Sequence, residues 1–270
     1  MMPSPTAVLP LDQGDDNLID GDWPDRVVVA VNRPELQAFT IERPKAQALI
    51  FAGGGYVKLM LDTEGSDIAA WLNELGYDAH VLVHRLPGVG SPPNPKNVAL
   101  DDAMRAIESL KANDLPLILL GLSSGGHLAG VVACQAGSDA GALVIAYAPL
   151  NANHRDYKAP AGKPDFPPAE KQAFYNDWPI GIATEPHGVP TCPVFLAYAL
   201  HDAAVPVEHA LNIIRTARDL NLDLDAHIFG QAPHGFALRD TNGSHASWPD
   251  LAADWLNRKL SVPASRRQPE

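Results

Sequence analysis

The chain has 270 residues, of which 46% are hydrophobic and 19% are charged, values typical of a soluble globular protein that buries one sizeable core. Its formal net charge of -12 repels phosphate backbones and anionic lipid head groups, which argues against binding to nucleic acid or to an anionic membrane. The two cysteines, Cys134 and Cys192, form no Cys-x-x-Cys pair and no cluster with zinc-ligand spacing. We therefore expect neither a disulfide framework nor a metal site.

The N-terminal segment carries no recognisable targeting signal. Residues 1–16 lack a basic segment followed by an apolar run, so no secretory signal is expected. No stretch of about 18 apolar residues occurs, which argues against a membrane-spanning helix. We therefore expect a cytoplasmic protein.

Strands and helices are predicted to alternate after an irregular start. Residues 1–25 are rich in Pro, Asp and Gly and are predicted to form an irregular lead-in. Hydrophobic periodicity predicts strands at 26–31, 36–41, 48–52, 79–84, 115–122, 143–148, 194–200 and 224–229. It predicts helices at 66–75, 97–112, 124–135, 206–220 and 247–260, and a flexible tail at 261–270.

This order of elements indicates the fold class. Segment 115–122 is a continuous apolar run, typical of a central parallel strand that is covered on both faces. Strands that alternate with helices form a mostly parallel sheet with helices on both faces. We therefore predict one α/β domain over residues 26–260, with its reactive side chains at the carboxyl ends of the strands.

One segment, residues 151–190, interrupts the alternation. It is rich in proline and carries the aromatic residues Tyr157, Phe166, Tyr175 and Trp178. A long insertion inside a compact domain is usually a functional loop, so we predict a cap over the active site. The alternative is a surface excursion that its aromatic side chains attach to the domain.

The segment Gly121-Leu122-Ser123-Ser124-Gly125 fits the Gly-x-Ser-x-Gly pattern of a nucleophile elbow. It follows the most apolar predicted strand and opens a predicted helix, as the strained strand-to-helix turn of an elbow requires. Ser123 occupies the central position and is predicted to be the nucleophile. Ser124 is the competing candidate.

A nucleophilic serine needs a base, and the base needs a carboxylate that orients it. Asp202 follows the predicted strand 194–200, and His234 follows the strand 224–229, so both are expected on loops at the catalytic edge. Their order after the serine is that of this fold. The alternatives are a helix-capping role for Asp202 and a surface turn for His234, with Asp223 or Asp225 as the orienting carboxylate.

The glycine run Gly53-Gly54-Gly55 follows the strand 48–52 and can present backbone N–H groups to an oxyanion. Gly54, Gly55 and the N–H of Ser124 are predicted to form the oxyanion hole. A nucleotide-binding loop is the alternative, but Lys58 fills the position of the third glycine in Gly-x-Gly-x-x-Gly.

These motifs resemble the esterase and lipase branch of the α/β-hydrolases, which includes enzymes similar to acetyl xylan esterases and feruloyl esterases. The resemblance runs from about residue 27 to residue 256 and includes Gly53-Gly54-Gly55-Tyr56, the elbow, Asp202-Ala203-Ala204-Val205-Pro206-Val207-Glu208, and His227-Ile228-Phe229 leading to His234-Gly235-Phe236. It implies an α/β-hydrolase fold and a catalytic triad of Ser123, Asp202 and His234.

The expected activity is hydrolysis of a small carboxylic ester, short-chain or linked to a carbohydrate, through an acyl-enzyme and without a cofactor. Tyr56, Tyr157 and Trp178 are predicted to contact the substrate, because aromatic rings with polar edges stack on sugars and aromatic acyl groups. The alternatives are lactone or dienelactone hydrolysis, amide hydrolysis of small peptides, and a binding module without catalysis.

Overall fold

A computed structural model describes residues 3–260 except residues 153, 155, 156, 163 and 186. The strands are β1 (Ala7–Pro10), β2 (Leu18–Asp20), β3 (Val27–Ala30), β4 (Glu35–Phe39), β5 (Gln47–Phe51), β6 (Asp78–Val83), β7 (Leu117–Leu122), β8 (Ala140–Ala146), β9 (Val194–Ala199) and β10 (Leu224–Phe229). The α-helices are α1 (Asp67–Glu74), α2 (Val98–Leu110), α3 (Ser124–Ala133), α4 (Ala169–Asp177), α5 (Glu208–Asp219) and α6 (Trp248–Leu260).

A central sheet of eight strands organises the fold, in the order β1-β4-β6-β5-β7-β8-β9-β10. The strands from β6 to β10 along this order are parallel, whereas β4 pairs antiparallel with β1 and β6. The remaining strands, β2 and β3, form a separate antiparallel pair. This topology confirms the predicted mostly parallel sheet, and it brings the ends of β5, β7, β9 and β10 to one edge.

Helices cover both faces of the sheet. Alternate residues of β5 separate into two cores, since Leu49 and Phe51 pack with α2, α3 and α5, whereas Ala48 and Ile50 pack with α1 and α6. Every residue of β7 is buried, because this strand is covered from both sides. No helix within the described part of the chain has the length and apolar character needed to cross a bilayer.

The prediction of an irregular lead-in over residues 1–25 is wrong at β1 and β2. The edge strand β1 is held by backbone bonds, including one of 2.7 Å from the Thr6 N–H to the Ala38 carbonyl oxygen, and all of its residues are exposed. An edge strand needs no buried face and tolerates a proline such as Pro10, so hydrophobic periodicity does not reveal it. The tail predicted at 261–270 lies outside the described residues.

The insertion 151–190 contains a helix that the sequence analysis did not predict. Helix α4 begins directly after Pro168 and buries Phe174 and Tyr175 against the body of the domain. Proline is favoured at the start of a helix because its missing N–H would have no intrahelical partner there. The prolines of the insertion suggested an irregular segment, although one of them, Pro168, directly precedes a helix.

Candidate active site

Ser123 lies at the sharp turn between β7 and α3. Its backbone angles, φ 51° and ψ -127°, are rare for a residue with a side chain. The N–H of Ser123 donates to the Ala146 carbonyl oxygen over 3.0 Å, which joins the turn to the end of β8. The turn therefore presents the Ser123 hydroxyl at the carboxyl edge of the sheet, as a nucleophile elbow requires.

Glycine allows the backbone to approach closely behind Ser123. A Cβ atom on Gly125 would lie 2.0 Å from the Phe51 carbonyl oxygen, at the end of β5. That overlap involves backbone atoms, so relieving it would displace a central strand. The final glycine of the Gly-x-Ser-x-Gly pattern is thus required by the contact between α3 and β5.

The structure brings Ser123, His234 and Asp202 together. Ser123 Oγ lies 3.1 Å from His234 Nε2, and His234 Nδ1 lies 2.8 Å from Asp202 Oδ2. The side chain of Asp202 is fully buried, whereas that of His234 is 29% exposed. A buried carboxylate, a partly exposed imidazole and a hydroxyl at hydrogen-bond distances form the arrangement used in nucleophilic catalysis.

Asp202 is held in its ionised form. Burial raises its pKa, but hydrogen bonds from His234 and from the N–H groups of Val205 and Ala204 outweigh burial and lower the pKa below its usual value. Both N–H groups donate to Asp202 Oδ1 over 2.8 Å. Because Asp202 Oδ2 is an acceptor, His234 Nδ1 donates to it, which leaves His234 Nε2 able to accept the Ser123 proton.

The three residues predicted for the oxyanion hole line the same cleft as Ser123. Among the described residues, no acceptor contacts the N–H of Gly54 or that of Ser124. The N–H of Gly55 instead donates to Ser124 Oγ over 2.9 Å. Gly54 has φ +133°, and a Cβ atom there would lie 2.2 Å from the Lys58 carbonyl oxygen, so only glycine fits this turn.

A cleft of about 610 Å³ opens in front of Ser123. Its walls include side chains of the domain body and of the insertion 151–190, among them Glu64, His234, Phe166, Lys171 and Tyr175. The volume lies within the range of small-molecule sites.

None of the three aromatic residues predicted to contact the substrate, Tyr56, Tyr157 and Trp178, lines this cleft. Tyr56 is 1% exposed and its hydroxyl bonds to His127 Nδ1. Trp178 donates through Nε1 to Asn97 Oδ1, and the ring of Tyr157 lies 5.6 Å from that of His154. The sequence shows where the aromatic residues stand, but on an irregular segment no periodic pattern predicts the direction of their side chains.

A model of a known protein family matches the region that contains Ser123, Asp202 and His234. A model of the prolyl oligopeptidase family matches residues 93–262. The chain belongs to the prolyl oligopeptidase family. No curated protein matches the sequence significantly.

Solved structures share the fold of this prolyl oligopeptidase family member over nearly the whole chain. An acetyl ester-xyloside bifunctional hydrolase from Caldicellulosiruptor lactoaceticus has a TM-score of 0.67 at 22% identity, over 94% of this chain and 97% of that one. A carboxylesterase from Lactobacillus plantarum has a TM-score of 0.66 at 19% identity, over 91% and 99%. An esterase from Thermogutta terrifontis has a TM-score of 0.66 at 16% identity, over 87% and 91%. These similarities confirm the predicted α/β-hydrolase fold.

His127, one helical turn after Ser123, attaches the insertion to the elbow. Its Nε2 lies 2.8 Å from the Trp178 carbonyl oxygen and its Nδ1 lies 2.9 Å from the Tyr56 hydroxyl. Since the carbonyl can only accept, Nε2 donates to it and Nδ1 accepts from Tyr56. Burial lowers the pKa of His127 to about 3, so the ring stays neutral.

His127→Gln is expected to weaken the pH dependence of stability. The folded-state pKa of His127, about 3, lies below the ordinary value of 6.5, so between these pH values the unfolded chain binds a proton that the folded chain does not. This residue therefore lowers the free energy of unfolding as the pH falls from 6.5 towards 3, by roughly 1.4 kcal/mol per pH unit. Urea unfolding at a series of pH values measures the slope. The matched control is the exposed His201→Gln, and parallel slopes for wild type and His127→Gln would contradict the assignment.

Glu64 is a residue of the cleft that the sequence analysis did not identify. It lies on a short π-helical segment, Asp62–Ser66, and is 5% exposed. In the sequence it stands in a polar stretch next to Gly65, where a solvent-facing role is the usual interpretation. Its burial depends on the tertiary position of this segment beneath the glycine loop, so no local pattern indicates it.

Proposed function

We propose that this protein is a serine hydrolase that acts on carboxylic esters. Ser123 is the nucleophile, His234 the general base and Asp202 the carboxylate that orients the base. The observation that carries the proposal is the continuous hydrogen-bonded series from Ser123 Oγ through His234 to Asp202, with distances of 3.1 and 2.8 Å, at the floor of an open cleft.

In the first half-reaction, Ser123 Oγ attacks the ester carbonyl carbon while its proton passes to His234 Nε2. The carbonyl oxygen becomes an oxyanion, which accepts from the free N–H groups of Gly54 and Ser124. The N–H of Gly55 donates to Ser124 Oγ and is shared between that oxygen and the oxyanion. Collapse of the tetrahedral intermediate breaks the bond to the alcohol, which leaves with the proton from His234.

In the second half-reaction, water attacks the acyl group on Ser123 and His234 accepts the proton of that water. The acid leaves and Ser123 recovers its proton. Asp202 keeps the ring of His234 in one tautomer throughout, since its buried carboxylate accepts from Nδ1.

The substrate class that we propose is a short-chain or carbohydrate-linked ester. An enzyme of the same fold, from Caldicellulosiruptor lactoaceticus, is described as an acetyl ester-xyloside bifunctional hydrolase. The cleft combines apolar surfaces on Phe166 and Tyr175 with polar groups on Lys171 and Gln172, a combination suited to a sugar or an aromatic acyl group.

The proposal is tested with p-nitrophenyl esters from acetyl to laurate beside acetylated and feruloylated sugars. We expect saturable hydrolysis of the short-chain esters and of at least one sugar ester, with Ser123→Ala as the control for each substrate. Absence of hydrolysis on every ester would overturn the proposal.

Membership in the prolyl oligopeptidase family favours a second candidate, hydrolysis of an amide bond beside proline. A carboxylate in the cleft is the strongest partner for the free amino terminus of a peptide substrate. Among the described lining residues, Glu64 is the one carboxylate, and it already accepts two hydrogen bonds. A proline p-nitroanilide assayed beside the p-nitrophenyl esters distinguishes the two activities, and we expect the ester to be cleaved far faster.

Phe166→Ala is expected to raise KM for a bulky feruloyl ester several-fold, by about 5- to 20-fold if one ring contact is lost, with little change in kcat. Phe166 lines the cleft and is 52% exposed, so it offers a contact that the ground state and the transition state share. A p-nitrophenyl acetate assay should hardly change. Tyr157→Ala is the matched control, because Tyr157 is an exposed aromatic residue of the same insertion outside the cleft. An equal loss of kcat/KM on both substrates would instead mean that Phe166 supports the triad.

A further inference from the structure

A second buried carboxylate, Glu64, lies in the cleft of the proposed catalytic base. It lines the cleft together with Ser123 and His234. A Cβ atom built on Gly53 would lie 2.5 Å from Glu64 Oε2 and 2.7 Å from Ser123 Cβ, so this carboxylate and the Ser123 side chain approach the same backbone atom. Glu64 is therefore adjacent to the reacting groups, although the triad does not include it.

Two hydrogen bonds fix the orientation of this carboxylate. Glu64 Oε2 accepts from the N–H of Gly53 over 2.7 Å, and Glu64 Oε1 accepts from the Tyr147 hydroxyl over 3.1 Å. The first bond holds the start of the glycine loop that carries Gly54 and Gly55. Burial raises the pKa of Glu64 above its usual value, and the Gly53 N–H, the Tyr147 hydroxyl and the charge of His234 offset only part of that rise.

Tyr147 connects Glu64 to the base. The ring of Tyr147 packs edge-on against His234, with 5.2 Å between ring centroids, and against Phe236 at 4.6 Å. Its φ of 39° is an outlier for a residue with a large side chain. Backbone strain of this kind persists where the surrounding structure fixes it, and it concentrates at functional sites.

Glu64 differs from its buried neighbour Asp62 in that no salt bridge to it is found within the described part of the chain. The neighbouring carboxylate on the same segment, Asp62, is also fully buried but pairs with Arg26 over 2.8 Å. Among the described residues Glu64 forms no salt bridge with lysine or arginine, and the proposed base His234 lines the same cleft. A buried carboxylate is costly unless a charge or strong donors compensate it, so its retention here indicates a partner that becomes charged during turnover.

We propose that Glu64 is a positioning residue for the proposed ester hydrolysis, holding the oxyanion loop through Gly53 and the base through Tyr147, and stabilising protonated His234 by its negative charge. This inference rests on the proposed function. When His234 takes the proton of Ser123, the imidazolium lies between two carboxylates, Asp202 and Glu64. Among the described residues, the ionisable groups around His234 are these two carboxylates, the hydroxyls of Ser123 and Tyr147, and Lys171 and His209, which line the same cleft.

Glu64→Gln removes the charge and keeps the hydrogen bonds. The amide oxygen can accept from the Gly53 N–H, and the amide NH₂ can donate to the Tyr147 oxygen, because a hydroxyl both donates and accepts. We expect kcat on p-nitrophenyl acetate to fall about 10- to 100-fold with KM little changed. The acidic limb of the kcat/KM profile should move to lower pH by roughly one unit, because an anion that favours the protonated base has been removed.

Two further variants separate positioning from a general structural role. Tyr147→Phe deletes the hydroxyl but leaves the charge of Glu64, so kcat should fall by about 3- to 10-fold and the acidic limb should move less than in Glu64→Gln. Asp62→Asn removes the other buried carboxylate of the same segment, away from the cleft, and should leave both kcat and the limb unchanged although the folded protein is less stable.

The inference is overturned if folded Glu64→Gln keeps the kcat of the wild type, or if it loses kcat while the acidic limb stays in place. If Glu64→Gln does not fold, an unchanged kcat in Tyr147→Phe overturns it. Labelling of the wild type by a fluorophosphonate is measured in parallel. Labelled wild type with an unaffected Glu64→Gln rejects this inference alone, whereas unlabelled wild type that hydrolyses no ester rejects the proposed function itself.

Discussion

Ser123→Ala is expected to lower kcat for ester hydrolysis by roughly 10⁶-fold, because the acyl-enzyme can no longer form. The variant should fold, since alanine is smaller than serine and the backbone N–H at position 123 still reaches the Ala146 carbonyl oxygen. Burst kinetics with p-nitrophenyl acetate measure the loss, and circular dichroism checks the fold.

Ser124→Ala is the matched control for this substitution. Ser124 Oγ accepts from the Gly55 N–H and, among the described residues, hydrogen-bonds to no histidine, so its removal deletes a loop contact and leaves the proposed nucleophile in place. A burst that survives in Ser123→Ala and disappears in Ser124→Ala would reassign the nucleophile to Ser124.

Asp202→Asn is expected to reduce kcat by about 10⁴-fold without unfolding the protein. An asparagine NH₂ group at the place of Oδ2 cannot accept from His234 Nδ1, so the ring takes the tautomer in which Nε2 carries the proton and cannot accept one from Ser123. Steady-state kinetics at the pH optimum of the wild type measure the effect.

Asp223→Asn serves as the control, because this carboxylate pairs with Lys259 over 2.6 Å at the surface. We expect it to keep the activity of the wild type. Near-normal turnover in Asp202→Asn, or a collapse of turnover in Asp223→Asn, would show that another carboxylate orients the base.

The parallel strands of the central sheet could be predicted closely from the sequence. The predicted segments 115–122, 194–200 and 224–229 correspond to β7, β9 and β10 with bounds that differ by at most two residues. Parallel strands covered by helices on both faces read as continuous apolar runs, so their sequences carry the signal themselves.

The elements that the sequence analysis missed are held by interactions without such a signal. The exposed strand β1 depends on backbone hydrogen bonds to β4, which any residue except proline can donate. Helix α4 buries only a few of its residues, and its turn-rich surroundings favour an irregular segment. Composition therefore predicted irregular structure where β1 and β2 lie, and it did not indicate α4.

Within the candidate site, the positions of some residues could be predicted from the sequence and those of others could not. Ser123, Asp202 and His234 follow predicted strands, and the carboxyl ends of neighbouring parallel strands meet, so their proximity follows from topology. The walls of the cleft depend on how the insertion 151–190 packs, which selects Phe166 and Tyr175 rather than Tyr157 and Trp178. Neither strand topology nor the composition of the insertion predicts the position of Glu64, because this residue lies on a short π-helical turn that packs against the glycine loop.

The measurement that tests the nucleophile most directly is covalent labelling of the wild-type protein with a fluorophosphonate, followed by intact mass and peptide fragmentation. We expect one adduct per chain, located on Ser123, that forms as ester hydrolysis is lost and that is absent from Ser123→Ala. An adduct on Ser124 or on any other side chain, or hydrolysis that continues in the fully labelled protein, would contradict the assignment of Ser123 as the nucleophile.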